Sequence, residues 1–237
     1  ELQPLNPWFT MTNDVNRDIN TLVFSGLLKY NPETNEIEED LATMQMSADG
    51  MYYTLTLKEN LFWHDSTELD LHPVTVEDVL FTYRTVQDKD FPNPLLHQNF
   101  QGVEVEKIDE KTVRFKLDEP YRFFPSNLTL GILPERSFTG IPIAMLDQTL
   151  DFGFHPVGAG PYMFKGLVQT ELSTEITLER FPSYAGPVHH LDSIVFRIFP
   201  DYSTLLSDLR NLHGVRLVPR NNEGNPLVPK RFRAVNY

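Results

Sequence analysis

The chain has 237 residues, 41% of them hydrophobic, a formal net charge of −13 and a mean hydropathy of −0.31. That length holds one large domain or two modest ones, with enough apolar material for a core. The acidic balance argues against nucleic acid as a partner, because phosphate binding needs clustered Lys and Arg, and the absence of cysteine excludes disulfides, thiolate nucleophiles and Cys-held metal sites.

No apolar run approaches the roughly 20 residues needed to span a bilayer. The opening Glu1-Leu2-Gln3-Pro4 is not a charged-then-apolar export segment, so the protein is either cytosolic or exported with its signal removed. From Asp18 to Tyr30, the apolar residues Ile19, Leu22, Val23, Phe24, Leu27 and Leu28 have the spacing of a buried helix face. Asn31-Pro32-Glu33-Thr34-Asn35 then makes a turn, and the acidic group Glu33, Glu36, Glu38, Glu39 and Asp40 reads as solvated turn surface. Met51 to Leu57, preceded by Asp49-Gly50, reads as the second strand of a hairpin, and Leu61 to His64 as another short strand.

The helix from Thr75 to Val86 has a clear start. Thr75 is the cap and Asp78, three residues on, makes an acidic variant of the capping box. Val103 to Ile108 and Thr112 to Leu117 both alternate and are joined by Asp109-Glu110-Lys111, which predicts a hairpin with one wet face. A short helix is expected within Tyr121 to Leu130. Strands follow at Tyr162-Met163-Phe164, at Thr174 to Phe181 and at Ile194 to Phe199, the last apolar enough to be central. Asp201 to Asn211 is a short helix, capped by Asp201 or Ser203, with Leu205, Leu206 and Leu209 facing inward. Beyond it, Arg216, Arg220, Lys230, Arg231 and Arg233 are interspersed with Pro219, Pro226 and Pro229, a loop or linker composition, and the stop at Tyr237 reads as the end of a fragment. Clustered strands with irregularly intervening helices give a mixed α/β (α+β) fold class.

Several groups invite a chemical reading. Gly158-Ala159-Gly160-Pro161 suggests a phosphate cradle but lacks the helix and Lys-Ser/Thr that such a loop requires. His64-Asp65 with His72, and His189-His190 with Asp192, are candidate metal ligands; adjacent strand residues point to opposite faces, so His189 and His190 rarely share an ion, and no metal ligand is assigned. Ser25 lies in Phe-Ser-Gly-Leu and not in a nucleophile elbow, and no nucleophile–base–orienter set is recognisable, so no catalytic residue is assigned and the chain is not read as an enzyme.

Taken in order, the segments resemble the N-terminal part of the family 5 extracellular solute-binding proteins, the dipeptide- and oligopeptide-binding receptors of ABC importers. The resemblance is carried by Leu5-Asn6-Pro7, Val23 to Leu28, Asp40-Leu41-Ala42, Ser47 to Lys58, Phe62-Trp63-His64-Asp65, Pro73 to Val79, Gly158 to Tyr162, Glu179 to Tyr184 and Leu205 to Arg210. Departures are Ser66 in place of a glycine, the extra residues Glu68 to His72, and the lack of a clean Gly-Glu-Ile-Asp segment after Asn211.

The resemblance implies a periplasmic-binding-protein-like lobe built from 1–30 and 157–237, a small inserted α+β domain over 31–156, and a C-terminal lobe missing from this chain. It implies an extended peptide as ligand, contacted by Met11, Thr12 and Asn13 and by Val218, Pro219 and Arg220. It further implies ABC-transporter permease subunits as partners, no cofactor, and a periplasmic or extracellular location with membrane association through the transporter or a lipid anchor. The alternatives are a receptor for nickel chelates, oligosaccharide or another small solute, and a non-transport interaction module.

Overall fold

The computed structural model describes residues 4–9, 14–187 and 189–214. The chain divides into two compact units. Among the described residues the larger contains 4–9, 14–166, 177–187 and 189–194, and the smaller contains 167–176 and 195–214.

The larger unit begins with an aromatic nest. Trp8 is fully buried, with ring centroids 5.2 Å from Phe138, 5.7 Å from Phe91 and 5.8 Å from Phe81, and Asn93 donates to its carbonyl at 2.6 Å. Helix α1 (Asp14–Val23) follows. The predicted apolar face is correct, since Ile19, Val23, Phe24, Leu27 and Leu28 are all buried, but the helix stops seven residues short of the expected Tyr30. The cause is tertiary. Ser25 O accepts from Ile132 N at 2.9 Å and Leu28 N donates to Leu128 O at 3.1 Å. Gly26 forms an antiparallel bridge with Gly131, so close that a Cβ on Gly26 would lie 2.8 Å from the Thr129 backbone. Pairing with 128–132 therefore outcompetes continuation of the helix.

Strand β1 (Leu28–Asn31) pairs antiparallel with β2 (Glu36–Glu39). The acidic stretch expected as turn is thus half strand. The turn is confined to Asn31–Asn35, where Asn31 Oδ1 accepts from Glu33 N at 2.8 Å and Asn35 adopts a positive φ of 58°. A four-stranded antiparallel sheet comes next. It has the order β3 (Ala42–Met46), β4 (Tyr52–Leu57), β6 (Thr112–Leu117), β5 (Val103–Lys107): β3–β4 and β5–β6 are the two predicted hairpins, joined through β4 and β6.

Its dry face carries Tyr53, Leu55, Val113, Phe115 and Leu117. Helix α2 (Val76–Gln87) covers it with Val79, Tyr83 and Val86, each such side chain contributing about 1.5–3 kcal/mol when removed from water. Tyr83 stands edge-on to Phe115 at 4.8 Å. The wet face carries the cross-strand pairs Lys116–Glu104 at 3.1 Å and Arg114–Glu106 at 3.4 Å. The expected strand over Leu61–His64 is a single bridge, Phe62 to Pro73, because the loop 65–72 separates the two segments after one pairing. Short helices α3 (Pro94–Gln98), α4 (Phe124–Asn127) and α5 (Leu150–Phe154) close the unit.

The last sheet has the order β7 (Tyr162–Gln169), β8 (Thr174–Arg180), β9 (Ser193–Ile198). Strand β9, expected to be central, stands at one end of this order among the described residues, and its residues alternate between exposed and half-buried. Ile194, Phe196 and Ile198 share the half-buried face, while Val195 is exposed on the other, so the apolar run does not mark burial on both faces. In the smaller unit, Arg197 ties β8 to α6 (Tyr202–Asp208) through Glu175 at 2.9 Å and Asp208 at 2.8 Å. Asp201 is the cap, accepting from Thr204 N at 2.8 Å. Leu209 is buried as predicted, whereas Leu206 is exposed.

Candidate functional site

The six residues expected to touch ligand, Met11, Thr12, Asn13, Val218, Pro219 and Arg220, lie outside the described residues. What the structure does define is the framework next to the first group: the buried Trp8 precedes it in the chain and α1 follows it.

The glycine turn has a structural reason for each glycine. A Cβ on Gly158 would sit 1.9 Å from Val23 O, and one on Gly160 would sit 2.5 Å from Leu22 O. Gly160 N donates to Val23 O at 2.9 Å. The turn therefore packs against the carbonyl end of α1, where the helix dipole is negative and an anion is unwelcome. This geometry answers the phosphate-cradle reading: the glycines serve close backbone approach.

His64 completes the joint. Its backbone N donates to Gly158 O at 2.9 Å, its Nδ1 accepts from Gly158 N at 3.3 Å, and its Nε2 meets Gly160 O at 2.9 Å. A carbonyl only accepts, so Nε2 carries the proton and Nδ1 is bare. Phe181 stacks edge-on against the ring at 4.9 Å, and its own N donates to Pro161 O at 2.9 Å. Burial drives the imidazole pKa down from 6.5 to about 4. Both ring nitrogens are thus committed to backbone, and His64 has neither lone pair nor orientation left for a metal. The sequence marks His64 as part of a short strand, a family-like segment and a candidate ligand cluster; its bond to Gly160, 96 positions away, has no local signal.

The neighbouring candidates are committed as well. Asp65 takes both oxygens to Arg136, at 2.7 and 2.8 Å, which with His72 holds its pKa below the usual carboxylate value. His72 lies 3.1 Å from Asp65 and 3.3 Å from Asp70. His189 packs against Tyr162 and Tyr184. Among the described residues, no group of three or more His, Cys, Asp or Glu is placed to hold a metal ion.

The capping-box motif has more partners than a helix start requires. Asp78 Oδ2 accepts from Thr75 N at 2.9 Å and Thr75 Oγ1 at 2.8 Å, and Oδ1 accepts from Glu135 N at 3.0 Å. Thr82, one turn on, accepts from Leu133 N at 3.0 Å. The motif locks α2 to 133–135. A surface groove of about 240 Å³ runs beside it over Leu57, Leu61 and Val76. That is below the roughly 300–1,000 Å³ of ordinary ligand pockets.

Residues 36–219 match the bacterial extracellular solute-binding proteins, family 5 Middle. The chain belongs to that family. It is 26% identical over 232 residues to the dipeptide-binding protein of Escherichia coli K12, covering 90% of this chain and 42% of that protein. It is 29% identical over 190 residues to a putative ABC transporter peptide-binding protein of Brucella ovis, covering 79% of this chain and 34% of that one. The structure superposes with a TM-score of 0.76 on the oligopeptide-binding protein AppA of Bacillus subtilis in complex with a nonapeptide, at 27% identity, covering 89% of this chain and 40% of AppA. The chain thus spans 34–42% of the length of these relatives. The mixed α/β fold is that of the periplasmic binding proteins.

Proposed function

We propose that the protein, in its full-length form, captures peptides outside the cytoplasm and delivers them to an ABC importer. The observation that carries this reading is the superposition on a nonapeptide-bound receptor at 27% identity and a TM-score of 0.76, supported by the peptide-binding names of the relatives. The protein binds and releases, without chemistry and without a cofactor. Its partners are the importer's membrane subunits, and it is held at the cell envelope by them or by a lipid anchor.

In this reading 1–30 and 157–237 form one lobe and 31–156 an inserted domain. Two facts support that division. The sheet β3-β4-β6-β5 is complete within 31–156, and Val23 at the end of the first stretch bonds Gly160 at the start of the second. Met11, Thr12, Asn13, Val218, Pro219 and Arg220 are proposed to line the ligand channel. An extended peptide there pairs by its main chain, which every peptide shares, so recognition need not depend on sequence.

Isothermal titration of the full-length receptor with a peptide mixture tests the reading. Saturable heat with peptides is expected. Heat with nickel chelates or oligosaccharides, and none with peptides, would overturn it. The 237-residue chain alone is expected to bind peptides more weakly than micromolar, since it covers at most 42% of the cited relatives.

A further inference from the structure

The loop 65–72 leaves the bridge between Phe62 and Pro73 and ends in a tight tip. Asp70 N donates to Thr67 O at 3.3 Å and to Thr67 Oγ1 at 3.1 Å, and Thr67 N donates back to Asp70 O at 2.8 Å. These bonds make 67–70 a β-turn with Glu68 and Leu69 at its centre. Below the tip, Ser66 Oγ accepts from His72 N at 2.9 Å, and Trp63 N donates to His72 O at 2.9 Å. Asp65 anchors the loop to Arg136, and His72 stands between Asp65 and Asp70. The loop is braced from base to tip.

That bracing holds apolar side chains out in water. Leu69 is 100% exposed and Leu71 56% exposed. Single exposed leucines are ordinary on a protein surface. Two on one fixed tip, alternating with the exposed acidic residues Glu68 and Asp70, make a preorganised contact. Each leucine has apolar area still to bury, and little loop freedom remains to be lost when it does. The stretch 68–72 is also where the sequence departs from the family pattern.

We propose that the tip 68–71 is a docking element, and that it enters an apolar pocket rimmed by Lys and Arg on the outer face of the importer's membrane subunits. This rests on the reading of the protein as an importer's receptor. Charge selects this occupant over others. The anionic surface of a membrane repels two carboxylates set beside the leucines. A second copy of the chain brings a net charge of −13 and a like-charged tip. A basic rim instead pairs with Glu68 and Asp70 while its pocket takes Leu69 and Leu71. Because the tip is an addition to the family pattern, it matches this receptor to its own importer and has no part in holding peptide.

The test uses the full-length receptor with its importer in bilayer nanodiscs, reading peptide-stimulated ATP hydrolysis against receptor concentration. Leu69→Ser and Leu71→Ser together should raise the concentration for half-maximal stimulation about tenfold or more, with the maximal rate and the peptide affinity as in wild type. Glu68→Lys should raise it severalfold, an effect that high salt erases. An unchanged half-maximal concentration in the double variant would overturn the docking and leave the receptor reading standing. A wild type that binds no peptide or stimulates no hydrolysis would overturn that reading and the docking with it. Leucine-dependent sedimentation with protein-free vesicles of phosphatidylcholine and phosphatidylglycerol, or a leucine-dependent dimer in analytical ultracentrifugation, would assign the tip to lipid or to a second copy and overturn the proposal. Should the double variant not fold, Glu68→Lys decides by the same readout.

Discussion

The capped helix α2 and the glycine turn at Gly158–Gly160 both carry the chain's resemblance to its family, and they hold the protein together in opposite ways. The Thr75–Asp78 box is local: its two ends satisfy one another, and only afterwards does Asp78 reach out to Glu135. The turn has no local logic. Its glycines answer to Val23 and Leu22, and its carbonyls answer to His64. A signature of the first kind explains itself from sequence. One of the second kind is an imprint of a partner far away in the chain.

Substitutions should separate the two. Gly158→Ala is expected to be the most damaging, costing about 4 kcal/mol or more, because the clash is with backbone and no side chain can rotate away. Calorimetry should show a loss of soluble folded protein or a fall in Tm beyond about 8 °C. A variant of wild-type stability would show that the turn is not packed as described. Asp78→Ala removes the acceptor of three donors, two of them backbone amides, and should cost about 2–4 kcal/mol in urea unfolding. A cost under about 1 kcal/mol would reduce the motif to an ordinary cap.

Acid should attack the joint. The His64 pKa falls from 6.5 unfolded to about 4 folded. For a base, this means that stability is fully present above 6.5, is lost as pH drops toward 4, and is constant below. The loss is about 2–3 kcal/mol, taking the partial exposure of the ring into account. His64→Gln, which keeps a donor and an acceptor, should flatten that part of the pH profile; an unchanged profile would relocate the effect. The smallest effect is expected at Tyr83. Its buried hydroxyl has no hydrogen-bond partner among the described residues, so Tyr83→Phe should be neutral or stabilising by up to about 1 kcal/mol. A clear destabilisation would reveal a hidden partner.

Much of the fold was legible because it is periodic. The hairpins β3–β4 and β5–β6, helix α2 and its box, and the cap at Asp201 follow from alternation, turn residues and capping chemistry. Three misreadings share one cause. Helix α1 ended early because the strip 128–132 competes for Ser25 and Leu28; Glu36–Glu39 became a strand because β1 lies beside it; and Asp40, expected on a wet turn, was drawn in by Tyr184. Each depends on a neighbour that local pattern does not encode. The proposed ligand contacts rest on family resemblance alone, since Met11 to Asn13 and Val218 to Arg220 have no period or chemistry that marks them.

The joint also has a consequence in time. His64 and Gly160 are separated by 96 positions, and Asp40 and Tyr184 by 144. Closing contacts across so long an unfolded chain costs entropy before any bond forms. Once the four-stranded sheet and α2 have condensed, much of the intervening chain is already fixed and the remaining closure is short. The sheet is therefore expected to fold early and the joint late, so that a chain emerging from the ribosome completes its most local signature first and its most distant one last.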